Sequence, residues 1–244
     1  PSALDSVAQY VDLENIIRYY AAQVFLANPD WPWNNIKLWR PGSPDGRWQW
    51  LMFDMDYAMW GGGHGPSVNT YDHIRNHWTS TKIFHKLLEN QDFKYRFINR
   101  IADMLNSWCL PDNLQARITE KKAHIADAMP RHIARWRNTF TGPWWLGDDS
   151  INSMDAWQED IDHLRDYAAQ RADYLWTYTT NEFGLADAGK HTLTIRVLPD
   201  GAGIVRVNTI RPENYPWSGD YWGAVPVTLE AIPAPGYAWD AWEN

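Results

Sequence analysis

The chain has 244 residues, of which 45% are hydrophobic and 15% aromatic, and it includes 17 tryptophans. Chains that stay disordered are poor in aromatic residues, so we expect a folded protein with one large domain, or a medium domain and a small appendage. A net charge of -8 without a block of basic residues argues against a nucleic-acid partner. The single Cys109 excludes an internal disulfide and a cysteine-based zinc site, and no apolar run of about 20 residues predicts a membrane span.

The first strong pattern predicts a helix over residues 12–27. Its apolar residues recur at spacings of three and four, as one face of a helix requires: Leu13, Ile16, Ile17, Tyr20, Val24 and Phe25. Asp12 suits the N-cap position, and Asn28-Pro29 ends the pattern because a residue before proline is disfavoured in a helix.

Two short strands, residues 36–40 and 47–53, are predicted next, with a turn rich in glycine and proline between them. In the second strand, apolar side chains occur on both faces. Trp48, Trp50 and Met52 alternate there with Leu51 and Phe53. We therefore expect this strand to be covered on both sides.

Residues 61–80 begin with three glycines and are predicted to form a long loop. Apolar periodicity then predicts four helices, at residues 82–88, 93–108, 114–136 and 154–178. Pro130 is expected to kink the third of these helices, and Gly184 is a suitable stop after the last.

From about His191 the sequence changes to short alternating segments separated by glycine and proline, which predicts a small β-sandwich module. The predicted domains are therefore residues 1–190 and 191–244. The pattern is interrupted at the last residue, so we expect the β-rich module to be incomplete. The predicted fold class is α+β, a mainly helical unit with a short β-hairpin followed by a small all-β segment.

The acidic and amide residues around the hairpin follow an order used in phosphoryl transfer. Asp30 precedes Asn35 by five positions and Asp54 by 24 positions, and the hairpin would return Asp54 to the loop that holds Asp30. Protein kinases place a catalytic aspartate, a metal-binding asparagine and a metal-binding aspartate in this order. One carboxylate orients the attacking hydroxyl and accepts its proton, while carboxylate and amide oxygens hold Mg²⁺ against the phosphates.

Spacing alone favours a structural interpretation of the same residues. An aspartate and an asparagine five positions apart occur together by chance in many chains. In this interpretation Asp30 caps a turn, Asn34 and Asn35 satisfy the loop backbone, and Asp54 and Asp56 end an edge strand.

A longer motif favours the functional interpretation. The tryptophan-rich run from Asn28 to Arg40, followed by the segment from Trp50 to Tyr57, resembles the CotH family of atypical secretory-type protein kinases, known from spore coats and secreted microbial proteins. The segment from Arg171 to Leu185 is similar to the end of that domain. The resemblance covers roughly residues 1–190.

The resemblance implies an ATP- and metal-dependent kinase domain, of which this chain supplies a mainly helical, kinase-like C-lobe. It makes Asp30 the catalytic base and Asp54 the metal-binding aspartate, with Asn35 and Asp56 as further ligands of Mg²⁺ or Mn²⁺. The implied substrate is a protein with a serine or threonine hydroxyl. The implied location of the parent protein is extracellular, on the cell surface or in the spore coat.

Two departures from the kinase pattern limit these expectations. Residues 54–56 lack the glycine of the usual Asp-Phe-Gly segment. Kinases also carry a lysine and a glutamate upstream of the catalytic loop, whereas the residues before Asp30 show a single helical pattern and no lysine. We therefore expect a C-lobe without most of the nucleotide-covering lobe, inactive or nearly so in isolation.

The alternative function is a non-catalytic extracellular adhesion or carbohydrate-binding protein. Its binding surface would be a row of exposed aromatic rings at Trp217, Tyr221 and Trp222, with a carbohydrate or cell-surface partner. Exposure of these rings would favour this function, and their burial would remove the case for it. Elsewhere, His73 and His77 lie four residues apart without the glutamate of a zinc-protease helix, so a packing or solvated role is favoured.

Overall fold

In the computed structural model, which describes residues 3–60, 64–137 and 151–243, the chain is an α+β protein with small antiparallel sheets. The helices are α1 (Ala3–Ala8), α2 (Leu13–Leu26), α3 (Thr70–Asn76), α4 (Trp78–Leu88), α5 (Gln91–Leu105), α6 (Pro111–Ile125), α7 (Met129–Trp136) and α8 (Met154–Phe183). The strands are β1 (Lys37–Trp39), β2 (Gln49–Leu51), β3 (Lys190–Ile195), β4 (Gly203–Val207), β5 (Trp217–Trp222) and β6 (Leu229–Pro233).

Helix α2 lies in the core and leads directly into the acidic loop. The Asp12 carboxylate accepts a hydrogen bond from the Asn15 backbone N–H at 2.9 Å, which satisfies one of the free donors of the first turn. Ala27 ends the helix in the left-handed conformation. Buried residues occur around most of its circumference, and the helix packs against α5 and β2. The predicted helix over residues 12–27 is thus confirmed to within one residue at each end.

The β1–β2 hairpin is covered on one face only. In its antiparallel register Lys37 lies opposite Leu51. Trp50 is buried, and its backbone N–H donates to the Asn15 side chain of α2 at 2.7 Å. Leu51 and Phe53 are exposed, so the prediction that both faces would be covered is wrong. Apolar residues on both faces of a strand indicate two covered faces only if other elements pack on both sides of it. Among the described residues, α2 packs on one side of this strand.

The predicted loop over residues 61–80 is shorter than expected. Residues 61–63 lie outside the described residues, and α3 begins at Thr70, where the Asn69 side chain accepts a hydrogen bond from the Tyr71 N–H at 3.2 Å. This helix buries Thr70, Tyr71 and Ile74 in seven residues, which is too few for a clear periodic pattern.

The predicted long helix over residues 114–136 is two helices. Helix α6 ends at Ile125, a short 3-10 turn covers Ala126–Ala128, and α7 begins at Met129. Pro130 lies in the first turn of α7. A backbone N–H in that turn has no acceptor within the helix, so proline, which lacks the N–H, costs the helix no hydrogen bond. Helix α8 continues beyond its predicted end to Phe183 and stops at Gly184, whose φ of 63° is the left-handed conformation that glycine adopts readily.

The β-rich segment pairs β3 with β5 and β4 with β6, both antiparallel. Strand β5 contains the three aromatic residues predicted to form a binding surface. Tyr221 is 3% exposed and Trp222 is 2% exposed, and Trp217 is half-buried against the core. Because these rings pack inward, the case for the alternative binding function, which required them to be exposed, is removed.

The helical and β-rich segments share one hydrophobic core. Strand β3 begins at Lys190, at the predicted boundary, but Ile195, Val207 and Trp222 belong to the same buried cluster as α2 and α5. Asn106, just after α5, donates to the backbone carbonyl of Asp220 at 2.7 Å. In the described ranges, no helix is both long enough and apolar enough to cross a membrane.

Candidate functional site

The loop after α2 is held by one buried tryptophan. Trp31 is 0% exposed, and its ring makes edge contacts with Tyr19 and Tyr20 of α2, at centroid distances of 6.0 and 5.3 Å. Asp30 and Asn35, on either side of this ring in sequence, are half-buried. The aromatic contacts therefore fix a loop whose polar side chains remain accessible to a ligand.

Asp30 is oriented by two side-chain amides of its own loop. Its Oδ2 accepts hydrogen bonds from Asn34 Nδ2, at 3.1 Å, and from Asn35 Nδ2. Asn35 adopts a φ of 55°, a left-handed conformation that asparagine tolerates better than most residues. Because the Asn35 nitrogen donates to Asp30, its Oδ1 is the atom free to face a cation.

Asp54 and Asp56 follow β2 and return to this loop, as the hairpin predicts. Partial desolvation, then the charge of Asp56 and a hydrogen bond with it, and then the charge of Asp30 raise the pKa of the Asp54 carboxyl. The nearby Lys37 acts in the opposite direction. The charges of Asp56 and Asp30 thus both act on Asp54, and the individual roles of the three aspartates stay predictions.

Asn28 links the two acidic segments and was missed as a functional residue. Its Oδ1 accepts from the Asp30 backbone N–H at 3.0 Å, and its Nδ2 donates to the Asp54 backbone carbonyl at 3.1 Å. Asn28 is 1% exposed. The bond to Asp30 is an Asx-turn, which an asparagine before a proline can suggest from sequence. The bond to Asp54 joins residues 26 positions apart and has no local sequence signal.

His73 supports the same loop from α3. Its Nε2 lies in hydrogen-bonding contact with the Trp31 carbonyl, and His77 Nδ1 lies 2.9 Å from the His73 carbonyl. Burial is the main cause that lowers the pKa of His73, which favours the neutral ring. His73 therefore packs beneath the candidate site, as the sequence favoured.

The side chains at the site fit a hard divalent cation. Mg²⁺ prefers oxygen ligands and needs only one or two carboxylates because it keeps several waters. Asp54, Asp56 and the Asn35 amide oxygen supply such atoms. Desolvation is the main cause that raises the pKa of Asp54, and the negative charges of Asp56 and Asp30, which a cation would neutralise, add to it. Within residues 3–60, 64–137 and 151–243, no three His, Cys, Asp or Glu side chains cluster closely enough to hold a metal. A cation bound here would therefore have at most two carboxylate ligands from the described residues, and the Asn35 amide oxygen and water would be the further ligands.

A cavity of about 390 Å³ lies at the opposite end of α2, between α5 and the β-rich segment. Arg96 and Arg100 line it, and both contact the Glu14 carboxylate, Arg100 at 3.1 Å. These cations are thus paired within the chain, and the cavity contains none of the predicted site residues.

A comparison with protein families places this geometry in context. The family model described as CotH kinase protein matches residues 2–175, well over half of the chain, and the match includes Asp30, Asn35, Asp54 and Asp56. Searches of curated proteins and of solved structures returned no match. The family match agrees with the resemblance seen in the tryptophan-rich motif, and the chain belongs to the CotH kinase family.

Proposed function

We propose that residues 28–56 form the phosphoryl-transfer site of a metal-dependent kinase domain. ATP is the proposed phosphoryl donor, and the hydroxyl of a serine or threonine in a protein is the proposed acceptor. The observation that carries the proposal is the hydrogen-bonded unit in which Asn28 joins the backbone of Asp30 to the backbone of Asp54. This unit holds a candidate base and a candidate metal ligand in one rigid arrangement.

Asp30 is the proposed catalytic base. Its Oδ2 is held by Asn34 and Asn35, so the carboxylate has a defined direction before a substrate binds. A fixed carboxylate can orient an attacking hydroxyl and accept its proton, which is most of what the protein must do in phosphoryl transfer.

Asp54 is the proposed principal metal ligand, with Asn35 and Asp56 beside it. A bound Mg²⁺ or Mn²⁺ would neutralise charge on the phosphates during transfer. The left-handed backbone of Asp54, at a φ of 54°, ends the extended course of the chain after β2, and the Asn28 amide holds the Asp54 carbonyl. Asp56 adds negative charge that attracts a cation to the same place.

The test distinguishes the roles of Asp54 and Asp30, because only Asp54 is assigned to the metal. Mn²⁺ binding is measured by electron paramagnetic resonance for the chain and for the Asp54→Asn and Asp30→Asn variants. We expect Asp54→Asn to weaken Mn²⁺ binding at least about tenfold, since it removes a charged ligand. We expect Asp30→Asn to leave Mn²⁺ affinity within about threefold, since Asp30 is assigned to the hydroxyl and not to the metal.

Transfer of label from γ-labelled ATP to serine- and threonine-containing peptides, in the presence of Mn²⁺, provides the second measurement. Any transfer by the chain should be lost in Asp30→Asn. Because the chain is expected to be inactive or nearly so in isolation, only measurable transfer that proceeds at an equal rate in Asp30→Asn would exclude Asp30 as the base. An Mn²⁺ affinity unchanged by Asp54→Asn would exclude the metal site.

A further inference from the structure

A lysine of the hairpin lies next to the proposed metal carboxylate. Lys37 is the first residue of β1, two positions after Asn35, and faces Leu51 across the hairpin. Its Nζ lies 3.6 Å from the centroid of the Phe53 ring, and Phe53 immediately precedes Asp54. The register of two short strands therefore places one positive charge beside the segment that carries Asp54.

The cation is held in place while its hydrogen bonds remain available. A cation over an aromatic face is attracted by the negative centre of the ring, which limits the positions of a flexible lysine. Against the residues that the structure describes, the Lys37 ammonium makes no side-chain hydrogen bond and no ion pair within 4.0 Å. Its three N–H donors are thus free for a ligand with oxygen acceptors.

Exposure agrees with a role in ligand binding. Lys37 is exposed, and Phe53 is 40% exposed although it is aromatic. Three other lysines form ion pairs with carboxylates: Lys86 with Glu89, Lys121 with Glu120 and Lys190 with Asp220. Lys37 instead lies against the ring of Phe53, the residue before Asp54.

We propose that Lys37 binds phosphate oxygens of the phosphoryl donor, from β1, beside the carboxylates assigned to the metal. An ammonium group is a compact charge that pairs readily with phosphate. This inference rests on the proposed function, because it needs a metal-bound polyphosphate at Asp54. It adds to that function a specific residue for the donor phosphates, supplied by the hairpin itself.

Loss of the Lys37 charge should change the affinity for Mn²⁺ alone and the affinity for the Mn²⁺–triphosphate complex in opposite directions, so the test measures both. The variants are Lys37→Met, which keeps the apolar stem, and Lys37→Arg, which keeps the charge. Lys121→Met is the matched control, since Lys121 is 73% exposed on α6 and its replacement changes the net charge equally. Binding of Mn²⁺ alone is measured by electron paramagnetic resonance, and binding of the Mn²⁺ complex of inorganic triphosphate by calorimetry.

We expect Lys37→Met to bind Mn²⁺ alone about two- to threefold more tightly, because a repelling charge is removed from a solvent-exposed site. We expect it to bind the Mn²⁺–triphosphate complex about tenfold more weakly, because a charged phosphate contact is lost. Lys37→Arg should retain triphosphate binding within about threefold, and Lys121→Met should change neither affinity. A loss of protein structure cannot produce a gain in one affinity and a loss in the other.

Triphosphate binding unchanged in Lys37→Met would overturn the inference, as would a parallel loss of both affinities. In either case, Mn²⁺ binding that depends on Asp54 would leave the proposed function standing. A chain that binds no Mn²⁺ at all would instead overturn the proposed function and the inference with it.

Discussion

Asn28 shows how one residue without charge can organise an acidic site. Partial desolvation, then the charge of Asp56 and a hydrogen bond with it, and then the charge of Asp30 raise the pKa of Asp54, so the two acidic segments repel each other. The Asn28 amide uses both of its ends to hold the two acidic segments, accepting from one backbone and donating to the other. Aspartate could not replace it, since a carboxylate cannot donate to the Asp54 carbonyl and would add a buried charge.

Replacement of Asn28 by alanine should therefore weaken metal binding without touching a metal ligand. We expect Mn²⁺ affinity to fall about tenfold, as is common when a residue that supports metal ligands is removed. The free energy of unfolding should fall by about 1–2 kcal/mol, since two partly buried hydrogen bonds, to the Asp30 N–H and the Asp54 carbonyl, are lost. Mn²⁺ titration followed by electron paramagnetic resonance and urea unfolding measure the two effects.

Asn34→Ala is the matched control for this prediction. Asn34 is exposed and its amide also contacts Asp30, at 3.1 Å, but it does not connect the two segments. Its replacement should change Mn²⁺ affinity by less than about threefold. Equal losses in the two variants would show that the link between the segments is not what supports the site.

The chemistry of this site is predictable from sequence only where residues are close along the chain or related by a simple hairpin. The spacing of Asp30, Asn35 and Asp54 predicts their approach because β1 and β2 are short and adjacent. The bond from Asn28 to Asp54 and the position of Lys37 over Phe53 depend on the register and twist of the hairpin. Neither quantity is encoded in a local pattern of residue types.

At the scale of elements, a single arginine of α8 connects the segments on both sides of the site. Arg171 is 0% exposed and donates to the carbonyls of Val24 and Phe25, in the last turn of α2. These carbonyls have no partner within the helix, and the negative end of the helix dipole favours a cation there. Arg171 also donates to the carbonyls of Pro66 and Val68, each at 2.7 Å, in the segment that follows Asp54 along the chain.

Arg171→Met should destabilise the protein by about 3 kcal/mol or more. Burial lowers the pKa of the Arg171 guanidinium, and five hydrogen bonds to carbonyl and hydroxyl oxygens compensate for its desolvation. Methionine has a similar length but cannot donate. The Pro66 and Val68 carbonyls would lose their side-chain donor, and the Val24 and Phe25 carbonyls would keep only the Thr70 and Tyr167 hydroxyls. Urea unfolding followed by circular dichroism gives the free energy of unfolding.

Arg165→Met on the same helix is the appropriate control. Arg165 is half-buried and makes one long contact, 3.4 Å to the Thr119 hydroxyl, so its loss should change the free energy of unfolding by less than about 1 kcal/mol. Arg171→Lys should lie between wild type and Arg171→Met, since an ammonium has three donors and no planar fork. Similar values for the Arg171→Met and Arg165→Met variants would contradict a special role for Arg171.

The elements that the sequence predicts well are long and bury one clear stripe, and those it misses are short. Helix α8 buries Trp157, Ile161, Tyr167 and Ala168, which recur in sequence at the spacing of one helix face. Helix α3 has seven residues and β5 begins with a half-buried tryptophan beside small and acidic residues, so neither shows a clean period. Burial of β5 is decided by α5 and α8 behind it, which only the tertiary structure reveals.

At the scale of the whole molecule, the β-rich segment and the helices are connected through a buried acid. Asp103 of α5 is 2% exposed and accepts from the Tyr221 hydroxyl at 3.0 Å and from the Thr209 N–H, also at 3.0 Å. Desolvation raises the pKa of Asp103 in spite of these hydrogen bonds. A buried carboxylate with several donors from the other segment is expected inside a folding unit rather than between independent domains.

Trp222→Ala tests whether the chain unfolds as one unit. Trp222 of β5 packs against Trp176 of α8 at a centroid distance of 4.3 Å, and its Nε1 donates to the Thr180 hydroxyl at 2.8 Å. Removal of so large a buried ring should lower the free energy of unfolding by about 3–5 kcal/mol. Because the ring contacts α8, the loss of stability should lower the unfolding midpoint of the helices, followed by their far-UV signal, as well as that of the β-rich segment.

Trp239→Ala removes the same side chain where it is 53% exposed, and its effect should stay within about 0.5 kcal/mol. If the sequence-based division at residue 190 described two independent domains, Trp222→Ala would melt the β-rich segment alone and leave the helical transition at its wild-type midpoint. The shared core predicts a single transition that moves as a whole. In that case β3 to β6 are part of what keeps α5 and α8 folded. Since α8 carries Arg171, they would also help to position the loop that holds Asp30.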